Sequence, residues 1–214
     1  MRRVEKKYSD AIEWLDSLNQ NKIIPGLERI AKLMNILENP QKKLKLIIIG
    51  GTNAKGSTCL NLNHNLTKNR LRIGCFTSPH IHSVRERIRI GKELINKDEF
   101  TDVLNLLRDI INEHEIEATY FEILTAAAYQ YFHIRKVDYA IMEIGLGGEW
   151  DAVNIGNADI AILTTLGIDH VNYLGTELEG IAVTKAKIVR KNSIVITGWA
   201  KKYHKYIPEC RSLM

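Results

Sequence analysis

Gly50-Gly51-Thr52-Asn53-Ala54-Lys55-Gly56-Ser57-Thr58 is the stretch of this chain best suited to anion chemistry. It follows a β-branched run and opens a helical pattern, so backbone N–H groups and a helix start converge where phosphate oxygens could sit. Lys55 would offset phosphate charge, and a hydroxyl at Ser57 or Thr58 would reach a bound Mg²⁺. Strict P-loop spacing fails at Ile49, Ala54 and Gly56. A tight glycine turn is therefore the plain alternative, and placement between strand and helix, with a lysine inside the turn, supports the nucleotide reading.

Two further places carry groups that need a reason. Glu143 sits inside the apolar run Ala140–Ile144, just before Gly145-Leu146-Gly147-Gly148. A carboxylate there is costly unless it is paired or holds a metal, so it is either a satisfied core acid or a ligand. Asp169-His170 follows the run Ala161–Gly167, and a histidine beside an acid on a ligand-facing loop is a second candidate ligand.

The elements that must position these groups are legible as periodicities. Tyr8, Ala11, Ile12, Leu15 and Leu18 fall at helical spacing, as do Leu27, Ile30, Leu33, Met34 and Leu37, with a loop over Asn19 to Gly26 between them. Strands are predicted at Leu44–Ile49, Arg72–Thr77, Arg87–Ile90 (turned by Gly91), Asp138–Ile144, Asp159–Thr164 and Ser193–Thr197. Helices are predicted at Ser57–Asn69, Lys97–Glu113, Tyr120–Ile134 and Glu177–Arg190, and Gly198 to Met214 is left without structure. Alternating strands and helices imply an α/β fold with a parallel sheet covered on both faces. In such sheets ligands bind beyond the carboxyl ends of the strands. The loops Gly50–Thr58, Thr77–His80, Glu143–Asn154 and Thr164–Gly175 should therefore converge.

Composition narrows the rest. With 214 residues, 45% hydrophobic and 26% charged, the chain is neither collagen-like, coiled-coil nor disordered. No apolar run approaches a membrane span, and the N-terminus lacks the apolar core of a signal peptide, so a soluble, cytoplasmic protein is expected with no membrane partner. The net charge of +5 is concentrated after Lys185 and forms no stripe, which argues against nucleic acid as partner. Cys59, Cys75 and Cys210 show no Cys-x-x-Cys pair and read as buried free thiols.

In order and spacing, the chain resembles the folylpolyglutamate synthase/dihydrofolate synthase family of the Mur ligase superfamily. The matching segments are Gly26-Leu27-Glu28-Arg29-Ile30, Gly51 to Thr58, Thr77-Ser78-Pro79-His80, Glu86-Arg87-Ile88, Phe121-Glu122-Ile123-Leu124-Thr125, Glu143 to Gly148, Asp151-Ala152-Val153-Asn154, Asp169-His170 and Lys185-Ala186. The resemblance implies a P-loop NTPase-like Mur ligase central domain over residues 1–198, with 1–40 as its helical N-terminal segment and 199–214 an unassigned tail. It implies ATP and Mg²⁺ as cofactors, and a folate or pteroate and L-glutamate as substrates, joined through an acyl phosphate. Gly51, Thr52, Asn53, Ala54, Lys55, Gly56, Ser57 and Thr58 would bind nucleotide, and Ser57, Ser78, Glu143 and His170 the metal. Lys55, His170 and Lys185 would be catalytic, Lys185 as the lysine that this family carbamylates; taken alone, it reads as a solvated helix lysine. Thr119, Phe121, Asp151 and Ala152 correspond to pterin-pocket positions, though Phe121 is equally a core aromatic.

The pattern also breaks. Ala54 stands where the family usually has glycine, and would be strained by roughly 1–2 kcal/mol if its φ is positive. Glu149-Trp150 replaces the usual Arg-Leu, and Thr184 and Lys187 replace Glu and Gly around Lys185. Family chains carry a C-terminal ligase domain that this sequence lacks, so a partner chain or self-association would complete it. The alternative is a truncated, non-catalytic nucleotide-binding relative.

Overall fold

Leu46–Gly50 is apolar without interruption and buried throughout, as a strand covered on both faces must be. In the computed structural model, which describes residues 2–19, 22–208 and 211–212, this strand is β1 of an eight-stranded sheet. The others are β2 (Ile73–Phe76), β3 (Ile88–Ile90), β4 (Glu93–Leu94), β5 (Tyr139–Glu143), β6 (Ile160–Leu163), β7 (Ile194–Thr197) and β8 (Arg211–Ser212). Their order is β4-β3-β2-β5-β1-β6-β7-β8. All neighbours run parallel except at the β2–β3–β4 edge, where Gly91 reverses the chain at φ +57°.

The helices are α1 (Arg2–Ser17), α2 (Glu28–Ile36), α3 (Lys55–Lys68), α4 (Lys97–Glu113), α5 (Tyr120–Ile134), α6 (Val171–Leu174) and α7 (Leu178–Ala186). The period-two alternation of β1 divides the core between them. Leu46 and Ile48 face the larger cluster built with α2, α4 and α5, whereas Ile47 and Ile49 join Cys59, Cys75 and Ile141 under α3. Register then sets the site. Ile49 lies opposite Glu143 and Ile162, and Phe76 opposite Met142, so the carboxyl ends of β1, β2, β5 and β6 finish at one edge.

Helices α4 and α5 occupy the predicted spans. The others differ in extent. Ala54 adopts a left-handed conformation as N-cap, so α3 starts at Lys55 rather than Ser57. Helix α7 ends at Ala186 rather than Arg190, whose guanidinium turns back onto the carbonyl of Lys187 and onto Asn154. One turn of helix, α6, interrupts the expected loop after β6. The stretch after Gly198 carries a 3₁₀ helix at Lys201–Tyr206 and pairs β8 with β7. Trp199 anchors it, 5% exposed, with its carbonyl 2.9 Å from the His204 ring. Cys59 and Cys75 are buried free thiols, and Cys210 lies outside the described residues. Among the described residues no helix is long and apolar enough to cross a membrane.

Candidate active site

The loop between β1 and α3 is shaped by two backbone positions. Gly51 has φ +142°, and a Cβ there would lie 2.0 Å from the Thr164 hydroxyl, so only glycine fits. Ala54 sits at φ +66°, the left-handed region that costs a Cβ-bearing residue roughly 1–2 kcal/mol. The α3 N-terminus, with the first-turn N–H groups of Lys55, Gly56 and Ser57, therefore begins directly after this turn, and Gly56 N–H is taken by Glu143.

Threonines lock this loop to the one after β6. The Thr52 hydroxyl donates to the carbonyl of Gly167 (2.9 Å) and accepts from its N–H (3.0 Å). Asn53 donates its N–H to the Thr165 hydroxyl (2.9 Å) and accepts from the Thr164 hydroxyl at 2.7 Å. Lys55 Nζ donates to the carbonyls of Gly51 and Thr52, both at 3.1 Å. The Thr58 hydroxyl bonds back to Ala54 O at 2.7 Å, which leaves the exposed Ser57 as the freer hydroxyl.

Glu143, 3% exposed, occupies the end of β5. Its Oε2 accepts from Ser78 N–H at 2.9 Å, and Gly56 N–H is a further donor. Burial nevertheless raises its pKa against these bonds and against the Lys55 and Arg87 charges. Lys185 is 2% exposed, not solvated, and donates to Gly51 O at 3.0 Å. Burial, reinforced by Lys55, brings its pKa down to about 8. Gly148 permits this placement: a Cβ there would lie 2.7 Å from Thr184 O and 3.1 Å from Lys185 Cα.

Beside these groups lies a cavity of about 440 Å³. Ser78, Thr119, Phe121, Asp151, Ala152 and His170 all line it, so six of the residues singled out from sequence meet on one surface. Two of them are occupied in holding the wall. Thr119 caps α5 reciprocally with Glu122, and Asp151 accepts from the N–H groups of Gly145, Leu146 and Val153 at 2.8–2.9 Å. Burial still moves Asp151 up to about 6. His170 is exposed, with Nε2 3.4 Å from Asp169 Oδ2. Gly51 to Thr58 lie outside the cavity lining, with Ser78, the partner of Glu143, at the junction.

Residues 49–210 match the Mur ligase middle domain. The chain belongs to the Mur ligase family. This Mur ligase chain is 36% identical over 195 residues to dihydrofolate synthase/folylpolyglutamate synthase of Bacillus subtilis, covering 89% of itself and 45% of that relative. It superposes on folylpolyglutamate synthase of Thermotoga maritima with a TM-score of 0.85 at 30% identity, covering 97% of this chain and 50% of the other. A folylpolyglutamate synthase complex with AMPPCP and folate gives 0.87 at 30% identity, with coverages of 94% and 50%. The chain thus spans about half the length of the relatives it matches.

Other wall residues of this Mur ligase domain went unassigned in the sequence reading. Arg87, 8% exposed, lines the cavity, donates from Nε to His80 Nδ1 at 2.9 Å and lies over the Tyr120 ring. Its signal was a charged residue at the start of a strand. The Lys22–Gly26 segment forms another wall, held by Arg29, which bonds Ile24 O at 2.6 Å and pairs with the buried Glu122 at 3.1 Å. Trp150 and Tyr173 line the cavity as well.

Proposed function

We propose that residues 1–198 form the nucleotide- and acceptor-binding part of an ATP-dependent acid–amino-acid ligase of the folylpolyglutamate/dihydrofolate synthase type. The observation that carries this reading is the position of Glu143 and Ser78 between a phosphate-type loop and the 440 Å³ cavity. A triphosphate on Gly51–Thr58 and an acid in the cavity would then meet at the ends of β1 and β5. The acid's carboxylate oxygen attacks the γ-phosphorus and ADP leaves; the amino group of L-glutamate then displaces phosphate from the acyl phosphate, forming the amide.

Lys55 offsets charge between the two approaching anions, and the α3 N-terminus holds phosphate oxygens. Of Ser57, Ser78, Glu143 and His170, the carboxylate and the two hydroxyls are oxygen donors of the kind Mg²⁺ takes, with phosphate oxygens and water completing the shell. The His170 imidazole suits that ion less. Among the described residues no three His, Cys, Asp or Glu side chains gather into a cage for a tighter-binding ion. Bound there, the metal would supply positive charge to the transferring phosphoryl group. Lys185, with its pKa at about 8, holds an appreciable neutral fraction near neutral pH, and the neutral amine is the form that takes up CO₂ as a carbamate. Thr119, Phe121, Asp151 and Ala152 would form the acceptor wall for a folate or pteroate.

The chain spans about half the length of these relatives, so ligation is proposed for this part together with the remaining half, whether that lies in the same chain or in a partner. A second reading, nucleotide binding without ligation, needs only the Gly51–Thr58 loop, which stands outside the cavity lining. Isothermal titration with AMPPCP, with and without Mg²⁺, tests both. Saturable, magnesium-dependent binding that is lost in Lys55→Ala is expected, and no binding by the folded protein at millimolar nucleotide overturns the enzyme reading. Acyl-phosphate formation from pteroic acid, trapped with hydroxylamine, separates the ligase from the binding module.

A further inference from the structure

Three apolar side chains from separate parts of the chain stand about half exposed on the wall of the 440 Å³ cavity: Ile23 (44%), Trp150 (51%) and Tyr173 (48%). A single exposed apolar side chain is ordinary, but three converging on one concave surface mark a contact for a ligand. Trp150 and Tyr173 pair with no other aromatic ring among the described residues, and about half of each is open to solvent.

The backbone around Trp150 is pinned on both sides. Asn154 Nδ2 donates to Glu149 O at 3.2 Å, and the Asp151 carboxylate ties its own position to Gly145 and Leu146. Tyr173 is set by its N–H bond to His170 O at 2.8 Å. The indole therefore projects from a fixed backbone, which lowers the entropy lost when a ring settles on it. Ser78, Arg87 and His170 supply polar and cationic groups on the same cavity wall. Flat apolar faces combined with such groups match a planar aromatic acid better than an aliphatic one.

We propose that Trp150 and Tyr173 form a ring-stacking rim that selects acceptor acids carrying a planar aromatic segment over aliphatic acids of equal charge. This rests on the cavity being the acceptor pocket.

Calorimetric titration of the whole chain with three acids tests it: pteroic acid, 2-naphthoic acid as a simple planar acid, and sebacic acid as an aliphatic control. The two aromatic acids are expected to bind and sebacic acid not to. Trp150→Leu and Tyr173→Leu should each weaken aromatic binding roughly tenfold, while both variants, altered at exposed positions, melt as the unaltered chain does. Variants that bind both aromatic acids with unchanged affinity overturn the rim, and so does a chain that binds neither. If 2-naphthoic acid binds through Trp150 and pteroic acid does not, the rim stands and the folate-type acceptor falls. If pteroic acid binds the variants as tightly as the unaltered chain, the folate-type acceptor stands and the rim falls.

Discussion

Lys55 and Lys185 donate to the same oxygen, the carbonyl of Gly51, at 3.1 and 3.0 Å. Two lysines sharing one acceptor at a strand end place like charges side by side in a partly dry region. The more buried of the two yields: Lys185 has its pKa lowered to about 8, chiefly by burial and then by Lys55. A carbamate on Lys185 would replace that repulsion with attraction, which ties the modification to the charge of the phosphate loop.

This pair sets a pH dependence of stability. The unfolded chain keeps the Lys185 proton up to about 10.5, whereas the folded chain releases it near 8. Between these values the unfolded state binds more protons, so stability should rise with pH across the window, by as much as about 3 kcal/mol from this group. Lys185→Met removes the buried ammonium and should abolish the rise. It should also unfold at higher urea than the unaltered chain at pH 7. Urea midpoints for both proteins at pH 7, 8.5 and 10 check this, and parallel pH profiles would refute it.

Ala54 offers a cleaner test of backbone strain. Glycine adopts its φ of +66° without the Cβ clash, though it gains entropy in the unfolded chain. Ala54→Gly should therefore stabilise by about 1 kcal/mol net, or roughly 2–4 °C in melting temperature for a chain of this size. Because the strain is already present in the free loop and the N–H groups keep their arrangement, AMPPCP affinity should stay the same. A lower melting temperature would mean that the loop conformation is not the one described.

How much of this was readable beforehand follows from which interactions are local. The spans of α4 and α5 were legible because their N-cap residues Asn96 and Thr119 each bond to a glutamate N–H three residues on, a pattern contained within one turn. The convergence of the strand ends was legible too, since it follows from parallel register. The burial of Lys185 was not, because it depends on Gly148 letting α7 close against the strand-end loop. Nor was the task of Asp151, whose acceptor bonds reach back to Gly145 and Leu146. The end of α7 and the 3₁₀ helix at Lys201–Tyr206 escaped for the same reason. Arg190 and Trp199 set them through tertiary contacts rather than through periodicity.

Glu143 carries the sharpest conflict between stability and use. Its carboxylate is buried and its pKa raised, so the folded state holds a proton on it at pH values where the unfolded chain has lost one. By linkage that part of the stability is present at low pH and is lost as pH rises through the folded pKa, because above it the buried carboxylate is ionised in the folded state. Glu143→Gln keeps the shape and one acceptor oxygen for Ser78 N–H while removing the charge. It should melt no lower than the unaltered chain at pH 7.5, and its melting temperature should depend less on pH. The same change removes the anionic donor of the proposed metal set, so AMPPCP binding should lose its dependence on Mg²⁺. Calorimetry with and without the ion, paired with thermal melts from pH 5 to 8, reads both effects on one protein. A variant that melts lower yet still responds to Mg²⁺ would make Glu143 a structural acid and move the metal site elsewhere.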